Sequence, residues 1–466
     1  MDNNSSAVPT SLGTEPIGKL LKAYAVPAII AMTASSLYNM VDSIYIGHMK
    51  DVGPLAISGL AVTFPLMNLS AAFGTLVGAG ASTIISVLLG QRDYEKARKV
   101  LANTATLNFA IGFLFMALTL AFLDPILYFF GASDQTIQFA RRYMDIILYG
   151  NIITHMYFGF NGILRSAGRP KLAMGLTIFT VVFNSVLDPI MIFWMGLGIR
   201  GAAWATVISQ FLAMCYAWGY FMNKKNCLHF PKRVFGFNYR IAKSSLEIGM
   251  GPFLMNAASC IVAVFINKQL FKYGGDLSIG AYGIVNRISF LFVMIMFGFN
   301  QAMQPIAGYN FGAKKYSRVR EIFYKTVMWA SAVSVLGFLI SMFAADPAVS
   351  VFTTDAELKS LADKALRTIN LCFFIVGFQM VATNLFQCLG MVRKSIFLSL
   401  TRQLLCLVPL LYILPLNMGV KGVWYSFPAS DGISAALTVA MLLALIKKMR
   451  TLKDGDSPDI LGSQIS

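Results

Sequence analysis

Apolar runs of about twenty residues recur along the whole of this chain, and they constrain its fold more than any single residue does. Inside hydrocarbon a segment must satisfy its own backbone N–H and C=O groups, which a helix does. At about 1.5 Å per residue, a helix of that length crosses a hydrocarbon layer of ~30 Å. The runs fall at 20–47, 55–89 (longer than one span), 100–122, 137–163, 172–195, 201–221, 250–271, 279–306, 322–343, 365–389, 396–416 and 423–446, predicting twelve helices. Composition agrees: 57% of residues are apolar and 13% charged, with a mean hydropathy of +0.66, so the apolar surface faces lipid. The fold class is an all-α membrane protein.

The net charge of +17 is distributed by position. Basic residues gather in the even-numbered connections (Arg92, Lys96 and Arg98 in the second; Lys224, Lys225 and Lys232 in the sixth; Lys314, Lys315 and Arg318 in the eighth), whereas the odd connections hold Asp51, Asp124, Asp276 and Asp346. By the positive-inside rule both termini and the even connections are cytoplasmic. The basic excess therefore orients the chain in its membrane, expected to be a prokaryotic plasma membrane, and nucleic acid is set aside as a partner. The first sixteen residues lack the pattern of a cleavable signal, so none is expected before the first span. The six cysteines are scattered with no Cys-x-x-Cys pair, which implies neither a disulfide framework nor a zinc site.

The chain repeats itself. Gly-Gln-Arg-Asp-Tyr-Glu-Lys-Ala-Arg at 90–98 aligns with Gly-Ala-Lys-Lys-Tyr-Ser-Arg-Val-Arg at 312–320, an offset of 222 that also relates Thr104 to Thr326, Asp124-Pro125 to Asp346-Pro347 and Gly168 to Gly390. It drops to 221 where Gly198 and Gly201 meet Gly419 and Gly422. An even number of spans per repeat makes this a parallel repeat about an axis along the membrane normal. The expected organisation is a tail (1–18), a six-helix lobe (19–222), a cytoplasmic linker (223–239), a second six-helix lobe (240–448) and a tail (449–466).

Polar residues form stripes at helical spacing in the first lobe. Ser35, Tyr38, Asn39 and Asp42 share one face of the first helix; Thr154, Tyr157 and Asn161 one of the fourth; Thr177, Asn184 and Asp188 one of the fifth; Thr206, Ser209 and Gln210 one of the sixth. Asp42, Asp188 and Thr206 lie six to eight residues from the outer ends of their helices, roughly 10 Å deep. A carboxylate at that depth costs several kcal/mol and marks function. With hydroxyl and amide oxygens beside it, it suits a hard cation such as sodium, or a proton. The repeat maps Asn184, Asp188 and Thr206 onto Cys406, Leu410 and Phe427, so packing does not demand polarity there. Isolated hydroxyls such as Ser35, Thr154 and Thr177 more often bond the preceding helical turn.

Arg287, Arg402 and Asp431 also fall inside spans and are expected to form structural ion pairs in the second lobe. His155 is expected to be a satisfied interior histidine. Pro27 should bend the first helix. No phosphate-binding loop, Ser–His–Asp set or metal-ligand cluster is present, so the chain is not expected to be an enzyme or to carry a cofactor, and an ion gradient is the expected energy source.

Residues 37–42 (Leu-Tyr-Asn-Met-Val-Asp), Asn184-Ser-Val-Leu-Asp188-Pro189 and 304–316 (Gln-Pro-Ile-Ala-Gly-Tyr-Asn-Phe-Gly-Ala-Lys-Lys-Tyr), with two parallel six-helix lobes, resemble the multidrug and toxic compound extrusion (MATE) transporters, in particular the prokaryotic DinF-like branch. The resemblance covers about 19–448. It implies a V-shaped fold and an antiporter that exports amphipathic or cationic compounds in exchange for Na⁺ or H⁺, acting as a monomer among membrane lipids. It also implies a cation site at Asp42, Asn184, Asp188 and Thr206, with bending at Pro27. Tyr38, Asn39, Tyr157, Asn161 and Gln210 are expected to line or gate the substrate cavity. The chain departs from the NorM-like branch: acids of the seventh and tenth helices are limited to Glu247 and Asp363, near helix ends. The alternatives are a lipid-linked oligosaccharide flippase of the same superfamily, which would favour a cationic cavity, and an exporter of a specific metabolite.

Overall fold

In the computed structural model, residues 10–47, 53–231, 234–353, 355–450 and 454–456 are described; within them the side chains of 36–44, 47, 53–55, 57, 58, 61, 276, 448 and 450 are left aside. Each of the twelve apolar runs lies on a helix. They are α1 Ile17–Gly47, α2 Gly53–Gly90, α3 Tyr94–Ala121, α4 in two pieces (Ile137–Tyr149 and Asn151–Ser166), α5 Pro170–Trp194 and α6 Ile199–Met222. The second half supplies α7 Tyr239–Gly275, α8 Leu277–Gly312, α9 Tyr316–Phe343, α10 Ala356–Cys388, α11 Val392–Met418 and α12 Val420–Arg450. Among the described residues ten of these helices are long and apolar enough to cross a bilayer. The other two are α4, which breaks at Gly150, and α6. A β-carbon on Gly150 would come within 2.5 Å of Val207 Cγ2, so the break is also where α4 and α6 approach closely.

The repeat is written into the backbone. Arg92 and Lys314, 222 residues apart, both turn through positive φ (63° and 57°), and so do Gly168 and Gly390 (82° and 70°). The 221 offset pairs Gly198 with Gly419, both at φ 57°. Arg98 donates from Nε and Nη2 to Cys227 O at 3.3 and 3.2 Å, while Arg320 donates from Nη1 to Met449 O at 3.1 Å, again 222 residues on at both ends. Equivalent arginines thus tie equivalent helix starts to the chain that leaves each repeat.

By contact the chain divides into two compact units, one centred on Ile30–Phe253 and the other on Glu15–Ile29 with the chain from Leu254 on. In the first unit α2 packs against α3, α4 and the start of α7. Gly78 lies so near α4 that a β-carbon would meet Gly159 Cα at 3.1 Å. On the α7 side, Gly80 and Gly249 face Ser245 O and Leu76 O at 1.8 and 1.7 Å from where their β-carbons would stand. Small residues let helix backbones meet in lipid, where apolar attraction between helices is weak. In the second unit α9 and α10 meet at Gly377, whose β-carbon would lie 2.4 Å from Ala330 O, and Gly298 of α8 meets Ile29 of α1 with its β-carbon 2.8 Å from Ile29 Cα. Repeat and unit are different partitions of one chain: the first half of α1 clusters with the second unit, and the start of α7 with the first.

Candidate functional site

In the first unit α5 packs along α6 and α4. Asn184 and Asp188, one turn apart on α5, are 1% and 0% exposed, and Thr206 of α6 is 5% exposed. Asn184 joins the three: its Nδ2 donates to Asp188 Oδ1 at 3.4 Å and to Thr206 Oγ1 at 3.3 Å. Both bonds are at the long, weak end of the range. Asn184 Oδ1 is buried with no hydrogen-bond partner among the described residues. Such an oxygen costs roughly 1–3 kcal/mol when left unsatisfied, and a site built to receive a cation offers it a partner. Carboxylate, amide and hydroxyl oxygens are the ligand types a hard cation takes.

Immediately after Asp188 the α-helix gives way to a π-helical turn, Ile190–Trp194, entered through Pro189. Proline lacks the N–H that would continue the i→i−4 ladder, and single π turns recur at functional sites.

The remaining stripes meet as well. Tyr157 OH donates to Thr177 Oγ1 at 3.3 Å and lies 3.4 Å from Thr180 Oγ1; Asn161 Nδ2 donates to Ala173 O at 3.0 Å and to Thr177 Oγ1 at 3.2 Å. Thr154 Oγ1 donates to Gln210 Oε1 at 2.5 Å, joining α4 to α6. Arg165, in the last turn of α4 and not singled out in the sequence, donates from Nη1 to Asn161 Oδ1. Its signal was the four-residue spacing from Asn161. Thr180 is one turn from Asn184, so polar contacts continue from Arg165 through Asn161, Thr177 and Tyr157 towards Asp188. Ser209 turns instead to its own helix, donating to Ala205 O at 2.7 Å.

Pro27 is buried within α1. Tyr38, Asn39 and Asp42 are carried by the same helix, and their side chains lie outside the described residues. His155 is fully buried, with Nε2 3.4 Å from Ser70 Oγ and Nδ1 lacking a hydrogen-bond partner among the described residues, so it is less fully satisfied than its sequence context suggested. In the second unit Arg402 of α11 donates from Nε to Asp431 Oδ1 of α12 at 2.6 Å. Arg287 does not join them: it is exposed on α8 and has no ion pair among the described residues.

Buried carboxylate, amide and hydroxyl oxygens within a duplicated bundle of membrane-length helices fit a transport protein of the membrane. The MatE family model matches the chain twice, over residues 27–190 and 248–413, and the chain belongs to that family. The two matches begin 221 residues apart, within one residue of the repeat offset. Among curated proteins the chain is similar to the multidrug export protein MepA of Staphylococcus aureus, 26% identical over 439 residues that cover 94% of this chain and 96% of that one. Among solved structures it resembles an outward-facing multidrug resistance MATE family transporter of the MOP superfamily (TM-score 0.88, 24% identity, 96% of this chain and 99% of that one). A MOP superfamily transporter from Pyrococcus furiosus gives the same TM-score, identity and coverage.

Proposed function

We propose that this protein is a secondary antiporter of the DinF-like branch that exports amphipathic, often cationic compounds in exchange for Na⁺ or H⁺. The observation that carries the proposal is the Asp188 carboxylate, fully buried on a membrane-length helix beside Asn184 and Thr206. An ionised Asp within a spanning helix costs up to about 2.5–3.5 kcal/mol on insertion scales, the value at the helix centre. Cation or proton binding relieves that cost, and so does the positive group of a substrate. Two ligands that neutralise the same charge exclude one another, which is the thermodynamic requirement for exchange. Asp42, on the helix that contains Pro27, is assigned as the second carboxylate of the site. Tyr38, Asn39, Tyr157, Asn161 and Gln210 are assigned to the substrate path. The lobes 19–222 and 240–448 are taken as the elements that alternate access, with both termini cytoplasmic and the protein working as a monomer in the plasma membrane.

The test is efflux of a fluorescent organic cation from cells lacking their own exporters. Asp188→Asn removes the charge while keeping shape and hydrogen bonding, and is expected to lower gradient-driven efflux at least tenfold at equal expression. Efflux that stays at the wild-type level and still collapses with the gradient contradicts the assignment. Repeating the assay without sodium separates the two coupling ions.

A further inference from the structure

The Arg402–Asp431 pair is built one-sidedly. Asp431 is 6% exposed at its side chain and holds Arg402 at a single atom, Nε, at 2.6 Å, whereas the Arg402 side chain keeps 34% of its surface. Both terminal guanidinium nitrogens are without a hydrogen-bond partner among the described residues. A pair that only held helices together would gain by engaging the fork bidentately, which is where arginine–carboxylate contacts find most of their strength. Here the carboxylate occupies the Nε edge and the fork is left free.

The backbone fixes this aim. Arg402 lies in a π-helical turn, Thr401–Leu407, and its carbonyl accepts a bond from Ser430 Oγ at 2.5 Å, beside Asp431 on α12. One turn along α12, Phe427 packs on Tyr282 of α8 with ring centroids 5.7 Å apart, an aromatic wall beside a charged group. The repeat gives the direction. Arg402, Cys406 and Leu410 correspond to Thr180, Asn184 and Asp188, and Phe427 and Asp431 to Thr206 and Gln210. Arg402 thus stands one turn from the counterpart of Asn184, on the α11 stripe equivalent to the polar stripe of α5. A guanidinium on a side chain that stays 34% exposed within a spanning helix costs several kcal/mol if it faces acyl chains, which favours a polar path.

We propose that Arg402 is a substrate-recognition residue whose free terminal nitrogens take a carboxylate on the exported compound, with Asp431 as the positioning residue that holds the guanidinium edge. This rests on the proposed reading that the polar stripes border the substrate path. It extends the substrate class from plain organic cations to amphiphiles that also carry a carboxylate, the group that Arg402 recognises. Replacing Asp431 alone leaves the guanidinium unanchored, and replacing Arg402 alone leaves a buried charge unpaired, so the informative variant changes both.

Rhodamine 110, a zwitterion with a free carboxylate, and rhodamine 123, its methyl ester, differ only at the group in question. Binding of each dye to the purified full-length protein is read by fluorescence anisotropy. Wild type is expected to bind the acid about tenfold more tightly than the ester. The Arg402→Gln, Asp431→Asn double variant should bind both alike while keeping ester affinity. Arg402→Lys, which keeps the charge but offers a single ammonium that Asp431 engages, should lose at least threefold of the preference, and it decides the matter if the double variant fails to fold. A wild type with no preference for the acid, or a preference that survives in the folded variants, overturns the proposal. Asp188→Asn serves as the separating control: unimpaired cation-driven transport in that variant defeats the antiport reading, whereas an unchanged acid-to-ester ratio in the Arg402 variants defeats this one alone.

Discussion

At the scale of single residues, the first half of the repeat shows how oxygen atoms can be held at depth without being used up. Asn184 spends its two donors on Asp188 and Thr206 and keeps its carbonyl oxygen free of protein partners among the described residues. Thr206 in turn donates to Ala202 O at 3.0 Å, which leaves its oxygen lone pairs turned towards Asn184. Thr206→Val, nearly equal in volume, is therefore expected to raise the half-saturating coupling-cation concentration roughly tenfold, the size of one hydrogen bond to a charged centre. Titrating efflux against sodium and pH measures it; an unchanged curve removes Thr206 from the site. Helical spacing made Asn184 and Asp188 legible as one face, because a 3.6-residue period aligns i and i+4; depth and the family resemblance added Thr206 from the next helix. Arg165 was harder to see, since a basic residue at a helix end is accounted for by the positive-inside rule before any inward contact is considered.

Among elements, the two repeats solve the same capping problem differently. Asp93 caps α3 from within its own sequence, accepting from Lys96 N at 3.0 Å. The equivalent residue before α9 is Lys315, and the cap comes instead from the C-terminal segment: Asp454 accepts from Ser317 N at 2.9 Å and from Ser317 Oγ at 2.5 Å, while Gly455 N donates to Lys314 O at 2.9 Å. Burial by itself pushes the Asp454 carboxyl up, but the Ser317 hydroxyl and amide, the Tyr316 amide and the Arg320 charge together carry it below the usual carboxylate range. Because the folded value is the lower one, this stabilisation is present above the ordinary aspartate pKa and is lost as pH falls through the lowered value. Asp454→Ala should cost about 1 kcal/mol, as lost N-caps do. Faster hydrogen exchange at the Ser317 amide, with α3 unaffected, is the expected signature. Equal exchange in both proteins contradicts it.

The glycine contact between α2 and α7 is a sharper element-scale test. A leucine at Gly249 must displace the Leu76 carbonyl, which stands 1.7 Å from the new β-carbon. Overpacking of this kind costs on the order of 3 kcal/mol. Gly249→Leu is expected to lose most of its monodisperse protein in detergent, whereas Gly175→Leu, with nothing within 4 Å, should not. Element boundaries were the least legible feature. Apolarity marks the lipid-crossing part of a helix and is silent about its polar extension. Thus α10 was expected from 365 yet begins at Ala356, because Asp355 caps it by accepting from Leu358 N at 2.8 Å and Asp363 pairs with Arg367 at 3.0 Å within its charged first turns. Likewise α7 was expected from 250 and begins at Tyr239, through a stretch bearing Arg240, Lys243 and Glu247. The π turns in α5 and α11 depend on backbone hydrogen bonds that no periodicity of side chains reports.

For the whole molecule, the sequence was most informative where one physical rule acts on every residue. Hydrocarbon admits only internally bonded backbone, so the apolar runs became helices, and the duplicated loop at 90–98 and 312–320 returned as duplicated backbone turns and arginine–carbonyl ties. What stayed hidden was how contacts group the halves of α1 and α7, since the sequence orders helices along the chain and does not say which neighbours their glycines meet. Topology is open to direct measurement. Fluorescent-protein fusions at either end are expected to fluoresce, and alkaline phosphatase fusions at the same ends to be inactive; the opposite pattern reverses the assigned orientation.

In the proposed exchange a buried carboxylate holds a cation until substrate arrives. Purified protein in weakly buffered detergent, monitored with a proton-sensitive and a sodium-sensitive electrode while a cationic substrate is added, reads that exchange without membranes or gradients. Wild type is expected to release close to one H⁺ or Na⁺ for each substrate bound, and Asp188→Asn to release none. Substrate binding with no cation release from the wild type, or equal release from the variant, contradicts the account.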